Sequence, residues 1–469
     1  MVKKAKNGIS YEQNGWKYIS IYGKPKERGH SYGYFCADDF KEIQIMLKFL
    51  MMEAYGQDWT FFIDEISKQF KEMTISEYPE LYEEMEGITQ GLIDAGCQTT
   101  IDEIIAWNFY CSISYWYSST TDSHVSKEGG AKDHCSAFIA VGDWTEDGKI
   151  VCAHNSFVDY IDGQYSNIVL DIKPEKGFRM IMQTAPCWIW SGTDFFITSK
   201  GIIGTETTIG GFFPYEKRHP IGYRIRKAMQ YASTMDEYCE ILLHENSGDY
   251  ANSWLFGDIN TNEILRIELG LKYHNIERTK NGFFIGFNAP YDERIRNLEV
   301  NNSGFYDIRR HQGARLVRFE NLMDEHKGKI NIDIAKAIIG DHYDVYLQKD
   351  NPCSRTVCSH YDLDAREYMS QSDRPKPFAP RGAVDGIVCD TKMAKNMMFS
   401  GKFGASCDVP FDKDVFCKTH RQYAKFCPFL KSRPARDWTE FTITNINNKS
   451  KFRLTKRSKN KQNKTKKQI

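Results

Sequence analysis

Asp133-His134-Cys135-Ser136-Ala137-Phe138-Ile139-Ala140, continued at Val151-Cys152-Ala153-His154-Asn155-Ser156-Phe157, reads as two short apolar strands joined by the polar turn Glu146-Asp147-Gly148-Lys149. A cysteine opens the first strand and His-Asn closes the second. Upstream, Ser118 to Lys132 is small and polar throughout, which predicts an exposed loop that a self-cleaving chain could open. A cysteine at such a junction can become a new N-terminus. Its α-amino group, with an ordinary pKa of about 7.7 to 8.0, would then act as base toward its own thiol, because it is poised near working pH and tethered beside the nucleophile. The chain holds 13 cysteines, and the default for any one of them is an inert, buried small hydrophobe. Spacing alone does not single out Cys135.

Working outward, the two sides of Cys135 differ in texture. On the N-terminal side, Trp16 to Tyr22 alternates as a strand should and Gly23-Lys24-Pro25 ends it. From Asp39 to Tyr55 the residues Phe40, Ile43, Met46, Leu47, Leu50 and Met51 recur at helical spacing behind an acidic start. Further helices are predicted over Phe61 to Met73, Tyr78 to Ala95 and Ile101 to Tyr117. The stripe Leu81, Met85, Ile88, Leu92, Ile93 has core packing as its default meaning. Residues 1–134 thus read as a mostly helical segment shielding one face of a catalytic body over 135–445.

After Cys135 the chain turns to strands, over Ser166 to Ile172, Gly177 to Thr184 and Asp194 to Ser199. Helices are predicted over Ile221 to Glu245 and near Arg309 to His326. Between them, Trp254 to Asp258 and Glu263 to Glu268 flank Ile259-Asn260-Thr261-Asn262 as a hairpin. Strands and helices in this order suit an α+β fold of stacked layers.

Composition bounds the function classes. Among 469 residues Lys+Arg and Asp+Glu are both 62, so no global field recruits nucleic acid or an anionic membrane, and no nucleic-acid partner is expected. The exception is residues 446–469, lysine-rich and poor in apolar residues, which predict a disordered basic tail with at most transient contact to a membrane surface. Met1 to Gly8 lacks the apolar run of a secretory signal, and no run is long enough to span a bilayer, so the cytoplasm is the default expectation. Cys353-x₄-Cys358-x-His360, and Cys417-x₂-His420 with Cys407 and Cys427, have soft-ligand composition. Their spacing matches no paired CxxC zinc pattern, so neither metal nor cofactor is expected.

Several separate blocks carry a resemblance. Cys135-Ser136-Ala137 through Ala153-His154-Asn155 is similar to the start of the mature catalytic chain in the phospholipase B-like proteins, a family of N-terminal-nucleophile hydrolases. Asp194 to Ile197 with Glu206-Thr207-Thr208-Ile209-Gly210, Asn246 to Tyr250 with Asn252-Ser253-Trp254, Phe287-Asn288-Ala289-Pro290, Ala314 to Phe319, and Gly382 to Gly386 follow in the family's order. The N-terminal part, with Gly23-Lys24-Pro25 and Gly29-His30-Ser31-Tyr32-Gly33, resembles the related penicillin acyltransferase-type autoproteolytic enzymes. Phe157 stands where the phospholipase B-like pattern carries tryptophan, and His134 where the acyltransferase relatives carry glycine.

The resemblance implies an αββα sandwich, self-cleavage before Cys135 with residues 1–134 staying associated, and hydrolysis of acyl esters or amides, lipids first. It also implies lysosomal or secreted relatives, which the N-terminus does not match. Around Cys135 it places His154 to orient substrate or trade protons, and Asn288 as an amide donor to an oxyanion. Arg315 would favour thiolate and polarise the carbonyl, and Thr208 would donate a hydroxyl. Two rivals stand beside it: an acyltransferase or N-acyl amide hydrolase of the same superfamily, and a non-enzymatic lipid-binding protein on the same scaffold.

Overall fold

Three short strands over residues 3–23 precede the first helix. The computed structural model describes residues 2–120, 134–301, 303–364 and 378–444. The predicted loop before Cys135, from position 121 on, and the basic tail lie outside the described residues. In chain order come β1 (Lys3–Ala5), β2 (Gly8–Gln13), β3 (Trp16–Gly23), α1 (Pro25–Tyr55), α2 (Trp59–Glu77), α3 (Pro79–Asp94), α4 (Ile101–Asn108) and α5 (Ile113–Thr120). β4 (Cys135–Val141), β5 (Val151–Asp159), α6 (Tyr160–Gly163), β6 (Ile168–Pro174), β7 (Met180–Thr184), β8 (Phe195–Thr198) and β9 (Ile202–Thr208) follow. Next are α7 (Ile221–Tyr231), α8 (Met235–Leu243), β10 (Asn252–Asp258), β11 (Glu263–Leu269), β12 (His274–Thr279), β13 (Gly282–Gly286), α9 (Glu293–Leu298), α10 (His311–Glu325) and α11 (Ile332–Ile339). The described chain ends with β14 (Tyr343–Asp344), β15 (Lys349–Asp350), β16 (Arg381–Ala383), β17 (Asp385–Asp390), α12 (Thr391–Lys395), β18 (Met398–Phe403), α13 (Lys413–Thr419) and β19 (Thr439–Thr442).

The strands make two large sheets. One runs β1-β2-β3-β6-β7-β8-β9-β10-β11-β12, antiparallel except for the parallel pair β3/β6. The other runs β13-β4-β5-β17-β18-β19, with β16 also beside β5. Tyr18, Ile181, Phe195, Ile203 and Leu255 from the first sheet meet Ala137, Ile139, Cys152, Ile387 and Phe399 from the second in one buried layer. Helices α1 to α5, α7 and α8 cover the outer face of the first sheet, and α10 and α11 the outer face of the second. The order α, β, β, α is the expected α+β sandwich.

Three local departures have physical reasons. Residues 3–23, grouped by sequence with a mostly helical N-terminal part, instead supply three strands of the larger sheet, and Tyr18, Ile19 and Ile21 are fully or almost fully buried. Helix α1 starts at Pro25, whose fixed φ and missing N–H suit the first helical position, well before the apolar period that begins near Asp39. Its early turns carry small residues instead, because α1 and α3 touch backbone to backbone. A β-carbon added at Gly29 or Gly33 would lie 2.1 Å from the carbonyl oxygen of Glu84 or Ile88, and one at Gly87 or Gly91 would lie 2.3 or 2.0 Å from that of Lys26 or His30. The single helix expected over Ile221 to Glu245 is two, since Thr234 caps α8 by accepting a hydrogen bond from Glu237 N while the Glu237 carboxylate accepts one from Ser233 N. Cys417 and Cys427 form a disulfide. Among the described residues, no helix is long and apolar enough to cross a membrane.

The glycine seam between α1 and α3 leaves no room for a methyl group. Gly91→Ala is expected to destabilise the chain by about 1 to 3 kcal/mol through overpacking. Chemical denaturation reads the effect, and an unchanged midpoint would show that the two helices separate freely.

Candidate active site

Strand periodicity decides where the quoted residues point. In the β4/β5 ladder Cys135 pairs with Ser156, Ala137 with His154 and Ile139 with Cys152, so these side chains share the face that packs on the first sheet. Ser136, Phe138 and Asn155 share the opposite face, toward α10 and α11. Cys135 and His154 thus meet inside the sandwich. The Cys135 Sγ, a ring nitrogen of His154 and a carboxylate oxygen of Asp194 all lie within 4.8 Å of one another.

Asp194 enters from the turn before β8, and its φ of 73° holds it in the left-handed region that aspartate tolerates better than most residues. It accepts a hydrogen bond from the Cys135 thiol at 3.4 Å. Glu206 on β9, Tyr250 before β10 and Asn252 at its start complete the surroundings, all buried. Burial pushes the Asp194 carboxyl up to about 7. Burial and the neighbouring Asp194 push Glu206 well above the ordinary carboxylate range, so Glu206 keeps its proton when Asp194 loses one. Asp385 on β17 accepts hydrogen bonds from Ser156 N at 2.8 Å and Gln183 Nε2 at 2.7 Å, and burial raises it to about 6.

These acids also set the state of the sulfur. Burial first, then Asp194, Glu206 and Asp385, holds the Cys135 thiol well above its usual value. His154 is driven the other way by burial, to about 3, so its ring is neutral through the physiological range. Neither ring nitrogen meets hydrogen-bond geometry, although the backbone of Glu206 lies alongside. A group that titrates near 3 is a poor proton shuttle at neutral pH, whereas Asp194 titrates where one is needed.

Arg315 is fully buried on α10, although Arg309, Arg310 and Arg318 beside it in sequence suggest a solvated basic face. Its guanidinium donates to Cys135 O at 2.7 Å, Ser136 Oγ at 3.0 Å, Phe287 O at 3.0 Å and Asn288 Oδ1 at 2.7 Å, while Nε donates to His311 O at 3.0 Å. The fork grips the backbone of Cys135 from the helix side of the sheet. Phe157 lies under the guanidinium, 4.8 Å from ring centre to Cζ, a cation–π contact. Asn288, with a φ of 66°, donates one amide N–H to Thr208 O at 2.6 Å. The Thr208 hydroxyl donates to Tyr250 at 3.1 Å, so Thr208 stands one residue back from the sulfur.

The geometry therefore draws Cys135, His154, Asn288 and Arg315 together, with Thr208 behind them. Sequence reasoning passes over Asp194, Glu206, Tyr250, Asn252 and Asp385 as site residues, although all five stand inside the blocks quoted for the resemblance. The available signal was their membership of those blocks. Cys135, His154 and Asp194 also have the composition of a three-ligand metal set. A groove of about 760 Å³ lined by Arg296, Phe305, Tyr306 and Arg310 opens beside the residues that lead into α10.

The sequence profile described as Phospholipase B matches residues 43–267, which contain Cys135, His154, Asp194, Glu206 and Thr208 but not Asn288 or Arg315. Phospholipase B-like protein C of Dictyostelium discoideum is 27% identical over 200 residues, covering 37% of this chain and 34% of its own. A protein of Rattus norvegicus with a phospholipase B-like name is 22% identical over 323 residues, covering 58% of this chain and 53% of its own. An uncharacterized protein of Archaeoglobus fulgidus is 26% identical over 202 residues, covering 40% and 32%. The chain spans about a third to a half of the length of these relatives.

Arg315 satisfies five acceptors, and a buried acceptor left without a donor costs about 1 to 3 kcal/mol. Arg315→Met should lower stability by at least about 2 kcal/mol, and Arg309→Ala, on the exposed side of the same segment, by no more than about 0.5 kcal/mol. Equal effects in urea unfolding would mean that the fork holds nothing together.

Proposed function

We propose that this chain is a phospholipase B-like hydrolase, as the match of residues 43–267 to the Phospholipase B profile supports, and that it cleaves acyl ester or amide bonds of lipids through the thiol of Cys135, freed when the chain cuts itself between His134 and Cys135. The observation that carries the reading is the convergence of a buried cysteine at the head of β4 with Asp194, a carboxyl that titrates near 7.

In the first step Sγ attacks the His134 carbonyl carbon, a C–S bond forms, and the C–N bond to Cys135 breaks. The thiol proton passes to Asp194 and from there to the leaving α-amine. Water then opens the thioester, which leaves a His134 carboxylate and a free thiol. The His134 carbonyl oxygen accepts a hydrogen bond from Phe157 N, a donor already aimed where negative charge develops. The released α-amine would emerge among Asp194, Glu206 and Asp385. Among the described residues, neither Asp194 nor Glu206 forms an ion pair, and an ammonium there supplies the missing cation.

The second cycle repeats the chemistry on substrate. Sγ attacks the acyl carbonyl and the α-amine takes the thiol proton. The remaining N–H of Asn288 and a backbone N–H stabilise the oxyanion, and the proton goes to the leaving alcohol or amine. His154, neutral and inside the sandwich, positions the acyl group. The N-terminal fragment stays bound because β1 to β3 belong to the same sheet as β6 to β12, and Ile19 and Ile21 share a core with Leu170 and Trp254. An amine acceptor in place of water would give the acyltransferase outcome from the same intermediate.

N-terminal sequencing of purified protein should return two sequences, one starting at Cys135, and Cys135→Ala should return only the uncut chain. An uncut wild-type chain with full hydrolase activity contradicts the mechanism. The sign of the pH effect follows from Asp194. Its proton acceptor form appears as pH rises through about 7, so self-cleavage should accelerate across that window and level off above it. Asp194→Asn should cut slower by about 100-fold or more without that rise. A wild-type rate that falls through the same window would count against Asp194 as the acceptor.

A further inference from the structure

Away from Cys135, four side chains from three separate segments meet at one point. His342 follows α11, Cys358 and His360 lie in the stretch after β15, and Cys407 lies just beyond β18. His360 Nε2 is 3.2 Å from His342 Nε2, 3.5 Å from Cys358 Sγ and 3.3 Å from Cys407 Sγ. All four atoms fall within 4.8 Å of one another, and both sulfurs are free thiols.

Hydrogen bonding does not account for this. A neutral imidazole nitrogen carries either one proton or one lone pair and serves one partner well, yet His360 Nε2 has three close neighbours. A shared centre explains all three at once. A tetrahedral ion with bonds of about 2.0 to 2.1 Å to nitrogen and about 2.3 Å to sulfur sets edges of about 3.3 Å between two nitrogens and about 3.5 Å between nitrogen and sulfur. The distances around His360 reproduce those edges.

The surroundings fit the same picture. Ser406 Oγ lies 3.4 Å from Cys358 Sγ, and the other ring nitrogen of His360 faces Asp362 at 3.9 Å, whose carboxylate accepts a hydrogen bond from Tyr160 at 2.8 Å. Two thiols and two imidazoles exclude magnesium and calcium, which take oxygen, and favour zinc. Sequence spacing hides the set, because it groups Cys353 with Cys358 and Cys417 with Cys427. In the fold Cys417 and Cys427 bond to each other, and Cys407 crosses to Cys358 and His360.

We propose that His342, Cys358, His360 and Cys407 form a structural zinc site. Four protein ligands leave no open position for water or substrate, so the ion holds segments together and takes no part in hydrolysis. What it holds is the backing of β5. Asn155, next to His154, donates to Ile339 O at 2.8 Å, and Ser406, next to Cys407, donates to the same oxygen at 2.7 Å. Partly exposed His342 and Cys407 give the ion a way in.

The test is metal analysis of the full chain, purified under reducing conditions with zinc present and then desalted. The expected result is roughly one zinc per chain, retained in Cys135→Ala and lost in the double variant Cys358→Ser/Cys407→Ser. Should the double variant fail to fold, cobalt(II) added to the metal-stripped wild-type chain decides alone. Tetrahedral d–d bands with thiolate-to-cobalt charge transfer support the site. Zinc that persists in the double variant, a wild-type chain that takes up neither metal, or a Cys358–Cys407 disulfide in peptide maps overturns it.

Discussion

The register between β4 and β5 is the constraint on which the site depends. With Cys135 opposite Ser156 and Ala137 opposite His154, the thiol and the imidazole point into the sandwich while Ser136 and Asn155 point to α10 and α11. A slip of one residue would reverse both faces, sending the cysteine to the arginine fork and Asn155 into an apolar layer. The register is pinned from both sides. Ala137, Ile139 and Cys152 require the inter-sheet layer, and Arg315 requires the carbonyl of Cys135 and the hydroxyl of Ser136.

The electrostatics inside that layer keep the buried thiol silent. Burial and three nearby acids oppose the thiolate. The chain as folded therefore keeps the sulfur protonated, beside Asp194, whose carboxyl burial pushes up to about 7. Glu206 holds its own proton more tightly. A new amine at Cys135 would change this balance in one step, by placing a base and a cation where only acids stand.

Element types were largely legible in the sequence, whereas the pairing of Cys135 with His154 rested on the family resemblance, because alternation within each strand does not fix the register that puts both side chains on one face. The start of α1 was not. Gly29 and Gly33 carry no apolar signal, and their reason for being there is the backbone of α3, a partner that periodicity cannot see. Asp194 and Glu206 escaped for a related reason: one precedes a strand and the other lies among the threonines of β9, both ordinary places for an acid until the fold brings them to one sulfur. Arg315 shows the reverse, since its neighbours Arg309 and Arg310 suggest a solvated face and only the packing of α10 reveals that it is sealed. The ligand set around His360 was split in sequence between two cysteine groups, because its members come together through the turn of β18 back onto the stretch after β15.

The central claim is that one sulfur carries the acyl group. Rapid quenching of the purified, processed protein with a slowly turned-over acyl ester, followed by peptide mapping, tests it most directly. An acyl mass on the peptide that begins at Cys135, removed by hydroxylamine, is the predicted result. Product release without any adduct there, or an adduct confined to another cysteine, contradicts it.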